Sequence, residues 1–343
     1  MKAVLVGLTP DVRATIIMRG FLIGEGLMKI RIGHLSTFYH TAILLMAQGD
    51  AEKRLGVEVE WKLMGTGPAI MQAFDKGELD LAYIGLPPAI IGMTKGIDVV
   101  CIAGGHVEGT VMAGKSQWPG YPDTGDLADI LRQFRGKTIG VPGKGSIHDV
   151  ILKDCISRFG LAQEVEIRNF PWADLVLEAV VKNEVAAAVG TPALAVAIKT
   201  YARGKVLYPA SKLWPYNPSY GIVADRSFLA EKRKVVETFL RLHEEATELI
   251  RSRPKDAARL ISGFVGVVDE QFVLDTFLLS PKYCSQLSDG YITATMKFVP
   301  VLRTLGYIDS VILEERIFDR SLIARVHPGK DHYGEGIRLL SPE

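Results

Sequence analysis

The pattern of apolar segments predicts an α/β protein made of two similar blocks, with the second inserted into the first. Three observations carry this. Short strand-like runs alternate with helix-length stretches from about residue 29 to 110, and again from about 137 to 190. Two connections rich in proline or glycine, 115–124 and 209–218, bracket the second run. Several strands end in glycine turns that open helices, which is where open α/β sheets place ligands. The expected division is an extension over 1–28, a first lobe formed by 29–110 and 219–343, and an inserted lobe over 111–218.

The elements follow in order. Ile30-Arg31-Ile32-Gly33 reads as a strand, and a helix begins near Thr41. Residues 57–88 are the most informative stretch. Val57, Val59 and Trp61 alternate with Glu58, Glu60 and Lys62, as a half-buried strand requires. Gly65-Thr66-Gly67-Pro68 then opens a helix with proline in its first turn, Ile70, Met71 and Phe74 fit that helix, and Lys76-Gly77 stops it. Residues 79–84 form the next strand, which runs into Gly85-Leu86-Pro87-Pro88 and a second helix. Residues 98–103 and 111–113 are further apolar strand segments. The second block reads as strand 137–142, helix 146–159, strand 165–168, helix 175–182 and strand 186–189. A strand over 220–224 precedes mostly helical sequence to about 305. In its 231–252 helix, Val235, Val236, Phe239, Leu242 and Leu249 form a stripe expected to face the first lobe, and Glu244-Glu245 are expected to face solvent.

The segment EWKLMGTGPAIMQAFDKGELDLAYIGLPPAI resembles the solute-binding proteins of nitrate, taurine and aliphatic-sulfonate transporters, the NitT/TauT family. There, too, a Gly-Pro helix start is followed by a GELD-type segment and a ligand loop. Residues 30–46 resemble that family's first strand and helix, 136–160 the opening of its second domain, and 299–328 its C-terminal tail. The resemblance implies the type II periplasmic-binding-protein fold: two lobes, each a mainly parallel sheet flanked by helices, joined by a hinge of two crossovers near 107–115 and 211–221. It implies closure over a small anionic solute, sulfonate-, taurine- or nitrate-like, and delivery to the permease and ATPase of an ABC importer by a monomeric receptor outside the cytoplasmic membrane. The alternative on a similar fold is a cytosolic enzyme or ligand sensor, such as the thiamine pyrimidine synthases or menaquinone-pathway enzymes. The cysteine-rich iron motif of the former is absent here.

Bulk properties narrow the classes. The 343 residues include 40 basic and 39 acidic side chains, so no net field favours nucleic acid. Three widely separated cysteines, Cys101, Cys155 and Cys284, argue against a disulfide framework and read as small buried hydrophobes rather than metal ligands. No run of about 18 apolar residues predicts a membrane span. The apolar run over 3–8 is cut short by Thr9-Pro10-Asp11-Val12-Arg13, and 16–27 is broken by Arg19 and Glu25. No export signal or lipoprotein cysteine is therefore legible, and Met28 is a second candidate start.

The candidate ligand residues lie in loops after strands. On the first lobe these are Ser36, Thr37, Phe38, Tyr39 and His40, then Gly65, Thr66 and Gly67, then Gly85, Leu86 and Pro87. On the second, Lys144, Gly145 and Ser146 open a helix whose N-terminal amides, dipole and hydroxyl suit an anion, without the Gly-Lys-Ser/Thr ending of a nucleotide loop. Trp172 and Thr191 occupy neighbouring strand ends. His34, His40, His106 and His148 fall near these loops, but none of their spacings is that of a local metal-ligand pair, so they read as hydrogen-bonding residues, with His40, His106 and His148 as ligand contacts. No Ser-His-Asp or Cys-His signature is present. The sequence thus predicts no catalytic residue, no cofactor and no metal.

Overall fold

The structure is a computed structural model that describes residues 28–337; the expectations placed on residues 1–27 lie outside the described residues. Its strands, in chain order, are β1 (Lys29–Leu35), β2 (Glu58–Met64), β3 (Leu81–Ile84), β4 (Val99–Val107), β5 (Val111–Lys115), β6 (Lys137–Pro142), β7 (Val165–Phe170), β8 (Ala187–Gly190), β9 (Gly204–Tyr208) and β10 (Pro218–Asp225). They form two five-stranded sheets, ordered β2-β1-β3-β10-β4 and β7-β6-β8-β5-β9. Each sheet belongs to one lobe.

The two sheets share one scheme. β1 runs parallel to β2 and β3, and β6 runs parallel to β7 and β8. β10 is antiparallel to β3 and β4, and β5 is antiparallel to β8 and β9. The sheets are therefore mixed, where the sequence suggested mainly parallel ones. The cause is the chain's route between lobes: it leaves the first sheet at the end of β4 and re-enters beside it as β10, with Pro218 opposite Val107. Neighbouring strands that exit and enter at one end must run in opposite directions.

Only residues 108–110 separate β4 from β5, and 209–217 separate β9 from β10. The two crossings are bonded to each other. The Glu108 amide donates to the Asn217 carbonyl (2.8 Å), the Tyr216 amide donates to Glu108 Oε1 (2.9 Å), and the Gly109 amide donates to Ser219 Oγ. Lys282 holds the other Glu108 oxygen at 2.9 Å.

Asp80, the aspartate of the GELD segment, has a structural role. It accepts from the Arg31 amide (2.7 Å) and Nε (3.1 Å), and it pairs with Arg31 NH2 at 2.6 Å, clamping β1 against the start of β3. The carboxylate is nearly buried. Asp80→Ala is expected to cost about 2–3 kcal/mol, since it orphans a charged donor and a backbone amide. Urea unfolding checks this; a loss below about 0.5 kcal/mol would contradict the clamp.

A second α/β unit was only partly legible. Helix Pro192–Tyr201 and β9 went unpredicted, because Pro-Ala-Leu-Ala-Val-Ala-Ile is apolar on every face and gives no period to read. That helix is covered by a C-terminal one: Phe272, on helix Glu270–Leu279, packs with Ala193, Val196 and Ala197. Among the described residues, no helix is long and apolar enough to cross a membrane.

Candidate functional site

A small cavity of about 40 Å³ lies between the lobes, at the carboxyl ends of strands from both sheets. Five of its lining residues are N-caps of five different helices. His40 caps Thr41–Gln48, Thr66 caps Gly67–Asp75, Gly85 caps Leu86–Thr94, Ser146 caps Ile147–Arg158, and Thr191 caps Pro192–Tyr201. Ala173, the first residue of helix Ala173–Val181, also lines it. The strand-turn-helix units produce this convergence: each helix starts where its strand ends, so its positive dipole end and free amides face the gap.

Among the described residues, no lysine or arginine lines the cavity. Its imidazoles are neutral at physiological pH. Burial lowers the pKa of His148 to about 4, against the pull of Asp149, and burial together with neighbouring imidazoles holds His40 well below its ordinary value. What the cavity offers an anion is aligned dipoles and neutral donors.

Two lining groups, Thr37 Oγ1 and His40 Nδ1, are buried without a hydrogen-bond partner among the described residues. Eight other buried side-chain atoms among the described residues also lack a partner, but these two belong to residues that line the cavity. The hydroxyls of Thr66 and Thr191 accept from the amides of Ala69 (3.4 Å) and Leu194 (3.2 Å), which leaves their protons to donate. Ser146 differs. It accepts from the Asp149 amide (3.2 Å) and donates to the Pro142 carbonyl (2.6 Å), so its hydroxyl is consumed within its own turn.

The structure brings Ser36, Thr37, Tyr39, His40, Gly65, Thr66, Gly67, Gly85, Ser146, His148 and Thr191 to the cavity. It places the other candidates elsewhere. Phe38 packs edge-on to Phe272, with ring centroids 5.8 Å apart. Leu86 and Pro87 are buried inside their helix, and the next residue, Pro88, lines the cavity instead. His106 is buried below it, with Nε2 2.6 Å from the Ser280 carbonyl and Tyr283 against its ring. Lys144 points to solvent because Gly143 and Gly145, both at positive φ, turn the loop outward. The Gly145 amide donates to Asp149 Oδ2 (2.7 Å) and is not free. Trp172 lies over Gly65, its ring 3.2 Å from where a Cβ would stand, and does not line the cavity. His34 pairs with the Leu35 carbonyl and stands edge-on to Trp61.

Ser219 is a lining residue that sequence reasoning missed. Its signal was its place, at the return from the second crossing and just before a predicted strand. The lobes touch around the cavity. A Cβ on Gly65 would lie 2.6 Å from the Pro171 carbonyl oxygen, and one on Gly143 would lie 2.7 Å from Thr66 Cγ2. The conformation is a closed one.

Burial of neutral imidazoles also sets an acid limit. His148, His243 (to about 4) and His106 (to about 3) are lowered chiefly by burial, from an ordinary 6.5. The unfolded chain therefore binds protons that the folded chain refuses. Stability is full above about pH 6.5 and falls as pH drops toward 4. The urea midpoint is expected to decline steadily over that window; a flat profile would contradict the neutral cluster.

This architecture, two mixed α/β sheets around an interlobe cavity at strand ends, is that of the type II periplasmic binding proteins. A sequence model of the NMT1-like family matches residues 24–265, and the chain belongs to that family. The chain is 25% identical over 246 residues to a Brucella abortus protein whose name goes no further than binding protein, covering 70% of this chain and 72% of that one. Among solved structures it is similar to the alkanesulfonate-binding protein SsuA of Xanthomonas axonopodis pv. citri bound to MOPS. That match has TM-score 0.73 and 15% identity, and covers 86% of this chain and 99% of that one. It is also similar to the periplasmic nitrate-binding protein NrtA of Synechocystis PCC 6803, with TM-score 0.71 and 12% identity over 88% and 89% of the two chains. The resemblance read from residues 57–88 is borne out for family and fold. At such identity the solved structures speak for the fold alone.

Proposed function

We propose that the protein is a non-catalytic solute receptor that closes on a small organic anion, sulfonate-like in charge and shape, and hands it to the permease and ATPase of an ABC importer outside the cytoplasmic membrane. The observation that carries this reading is the convergence of five helix N-termini, three of them capped by a side chain, on one interlobe cavity with no cationic side chain in its lining. Such a site favours a compact anion through dipoles and hydrogen bonds. Thr37, His40, Thr66 and Thr191 are its donors. The crossings at 108–110 and 209–217 act as the hinge.

Thermal unfolding against alkanesulfonates, taurine, nitrate, pyrimidines and pyridoxal phosphate tests the reading. A ligand at about 100 times its Kd stabilises by about 2.7 kcal/mol. A rise in Tm with one small anion and no turnover is expected. A response confined to pyrimidines or pyridoxal phosphate would favour the cytosolic enzyme or sensor instead. Thr37→Val is expected to weaken the responding anion about 10- to 100-fold, the value of one hydrogen bond to a charged group. Lys144→Ala is expected to change nothing, and a large loss there would place the ligand outside the cavity.

A further inference from the structure

Outside the lining of the interlobe cavity, three segments meet in lobe 1: Cys284 before the last helices, His327 and His332 in the C-terminal tail, and Glu244 on helix Arg233–Ser252. Glu244 is a correction to the sequence reading. Only Glu245 faces outward, to pair with Arg54 at 2.6 Å, while Glu244 turns inward to His327 and accepts from the Ser285 hydroxyl.

We infer that Cys284, His327 and His332 form a binding site for a thiophilic divalent cation of the zinc type, with Glu244 as the carboxylate that orients His327. One ligand atom from each of the three lies within 4.8 Å of the others, and Cys284 Sγ is 3.8 Å from His332 Nδ1. Tetrahedral zinc, with bonds of about 2.0–2.3 Å, sets its ligand atoms about 3.3–3.7 Å apart, so the sulfur and imidazole are nearly placed. The remaining closure falls on the exposed 328–330 turn that carries His332. The surroundings have the outer shell of a metal site. Glu244 Oε1 is 3.0 Å from His327 Nδ1, which directs Nε2 to the ion in place of its present partner, the Lys330 carbonyl at 3.0 Å. His332 Nε2 has Glu335 Oε1 at 4.0 Å.

The charges also fit. Cys284 thiolate and Glu244 balance a dication, and the nearby Arg251 is paired with Glu248. Because the thiolate is the ligand, binding a dication releases the Cys284 proton to solvent. A surface pocket of about 150 Å³, lined by Glu248, Arg251 and His332, gives the ion a path. Its effect is to pin the tail to helix Arg233–Ser252 and the segment before helix Asp289–Met296.

The test uses the full chain stripped with chelator and titrated with cobalt and then zinc. Wild type is expected to take up one equivalent of cobalt with intense tetrahedral bands and a near-ultraviolet thiolate charge-transfer band, both displaced by zinc, and zinc is expected to raise Tm. Cys284→Ser is expected to lose the charge-transfer band. His332→Ala, on a partly exposed tail residue, is expected to weaken zinc at least tenfold with its ligand-free Tm unchanged. Glu244→Gln is expected to weaken zinc about 10- to 100-fold, the usual cost of an outer-shell change. A wild-type chain that shows only a weak octahedral cobalt spectrum, or whose thiolate band survives in Cys284→Ser, would overturn the site. The wild-type titration decides this even if a variant fails to fold.

Discussion

Asp149→Ala is expected to destabilise the protein by about 3–5 kcal/mol, more than any other single change considered, because it removes the centre of a buried charged cluster. The Asp149 side chain is fully buried on the first turn of helix Ile147–Arg158. One oxygen accepts from the Gly145 amide (2.7 Å), Lys153 Nζ (3.1 Å) and the Tyr307 hydroxyl; the other accepts from Asn169 Nδ2 at 2.9 Å. Alanine leaves a backbone amide and a carboxamide without their acceptor and leaves the Lys153 ammonium only the Tyr307 hydroxyl (2.6 Å), and each orphaned group costs about 1–3 kcal/mol. Urea unfolding measures it, and a loss below about 1 kcal/mol would show that the cluster reorganises freely. Tyr307 follows helix Phe298–Thr304, which packs on helix Leu86–Thr94 of the first lobe, so its bond to Asp149 spans the lobes. Tyr307→Phe removes that bond and the one its hydroxyl accepts from Lys153 Nζ (2.6 Å) while leaving Asp149 its other three donors, and should cost only about 1–2 kcal/mol. The pair of variants separates the cluster's internal stability from its part in holding the lobes together.

How far the sequence carried the reading depended on whether the signal was local. Val57–Pro88 was legible because strand alternation, a proline helix start and glycine turns are all written within a few residues of the atoms they position. The same holds for Thr66, Gly85, Ser146 and Thr191, whose places at the cavity follow from capping strand-turn-helix units. What could not be read was side-chain direction within a loop. Lys144 and Ser146 stand two residues apart in one glycine turn, yet the lysine faces solvent and the serine lines the cavity with its hydroxyl already spent. His106 and His148 looked alike in sequence, but His106 is 2.6 Å from a carbonyl 174 residues away and His148 faces the gap. Contacts at such separations leave no periodic trace. Glu244 and Glu245 make the point for helices: adjacent positions differ by about 100° around the axis, so one of the two turned toward a tail that no local pattern could bring near.

Gly65→Ala is expected to weaken ligand binding at least tenfold while leaving the ligand-free protein as stable as before or slightly more so. Gly65 is not at positive φ, so alanine fits its backbone, and the loss of unfolded-state freedom should add about 0.4–1 kcal/mol. In the closed conformation, however, the new methyl would stand 2.6 Å from the Pro171 carbonyl oxygen and 3.2 Å from the Trp172 ring, both on the opposite lobe. The open protein does not meet that clash. The substitution therefore acts on the difference between the two states, which is the only quantity through which a ligand can drive closure. A tenfold loss corresponds to about 1.4 kcal/mol taken from the closed state. Gly263→Ala is the control: it lies in helix Pro254–Val265 with nothing within 4 Å of where a Cβ would stand, and should gain stability without touching affinity. Calorimetric titration of both variants with the anion that raises Tm decides the matter. If Gly65→Ala binds like wild type, the lobes do not need to meet at Gly65 and Pro171 to hold a ligand, and the receptor reading loses its closing step. If Gly65→Ala loses affinity and Gly263→Ala does not, closure at this contact is part of binding.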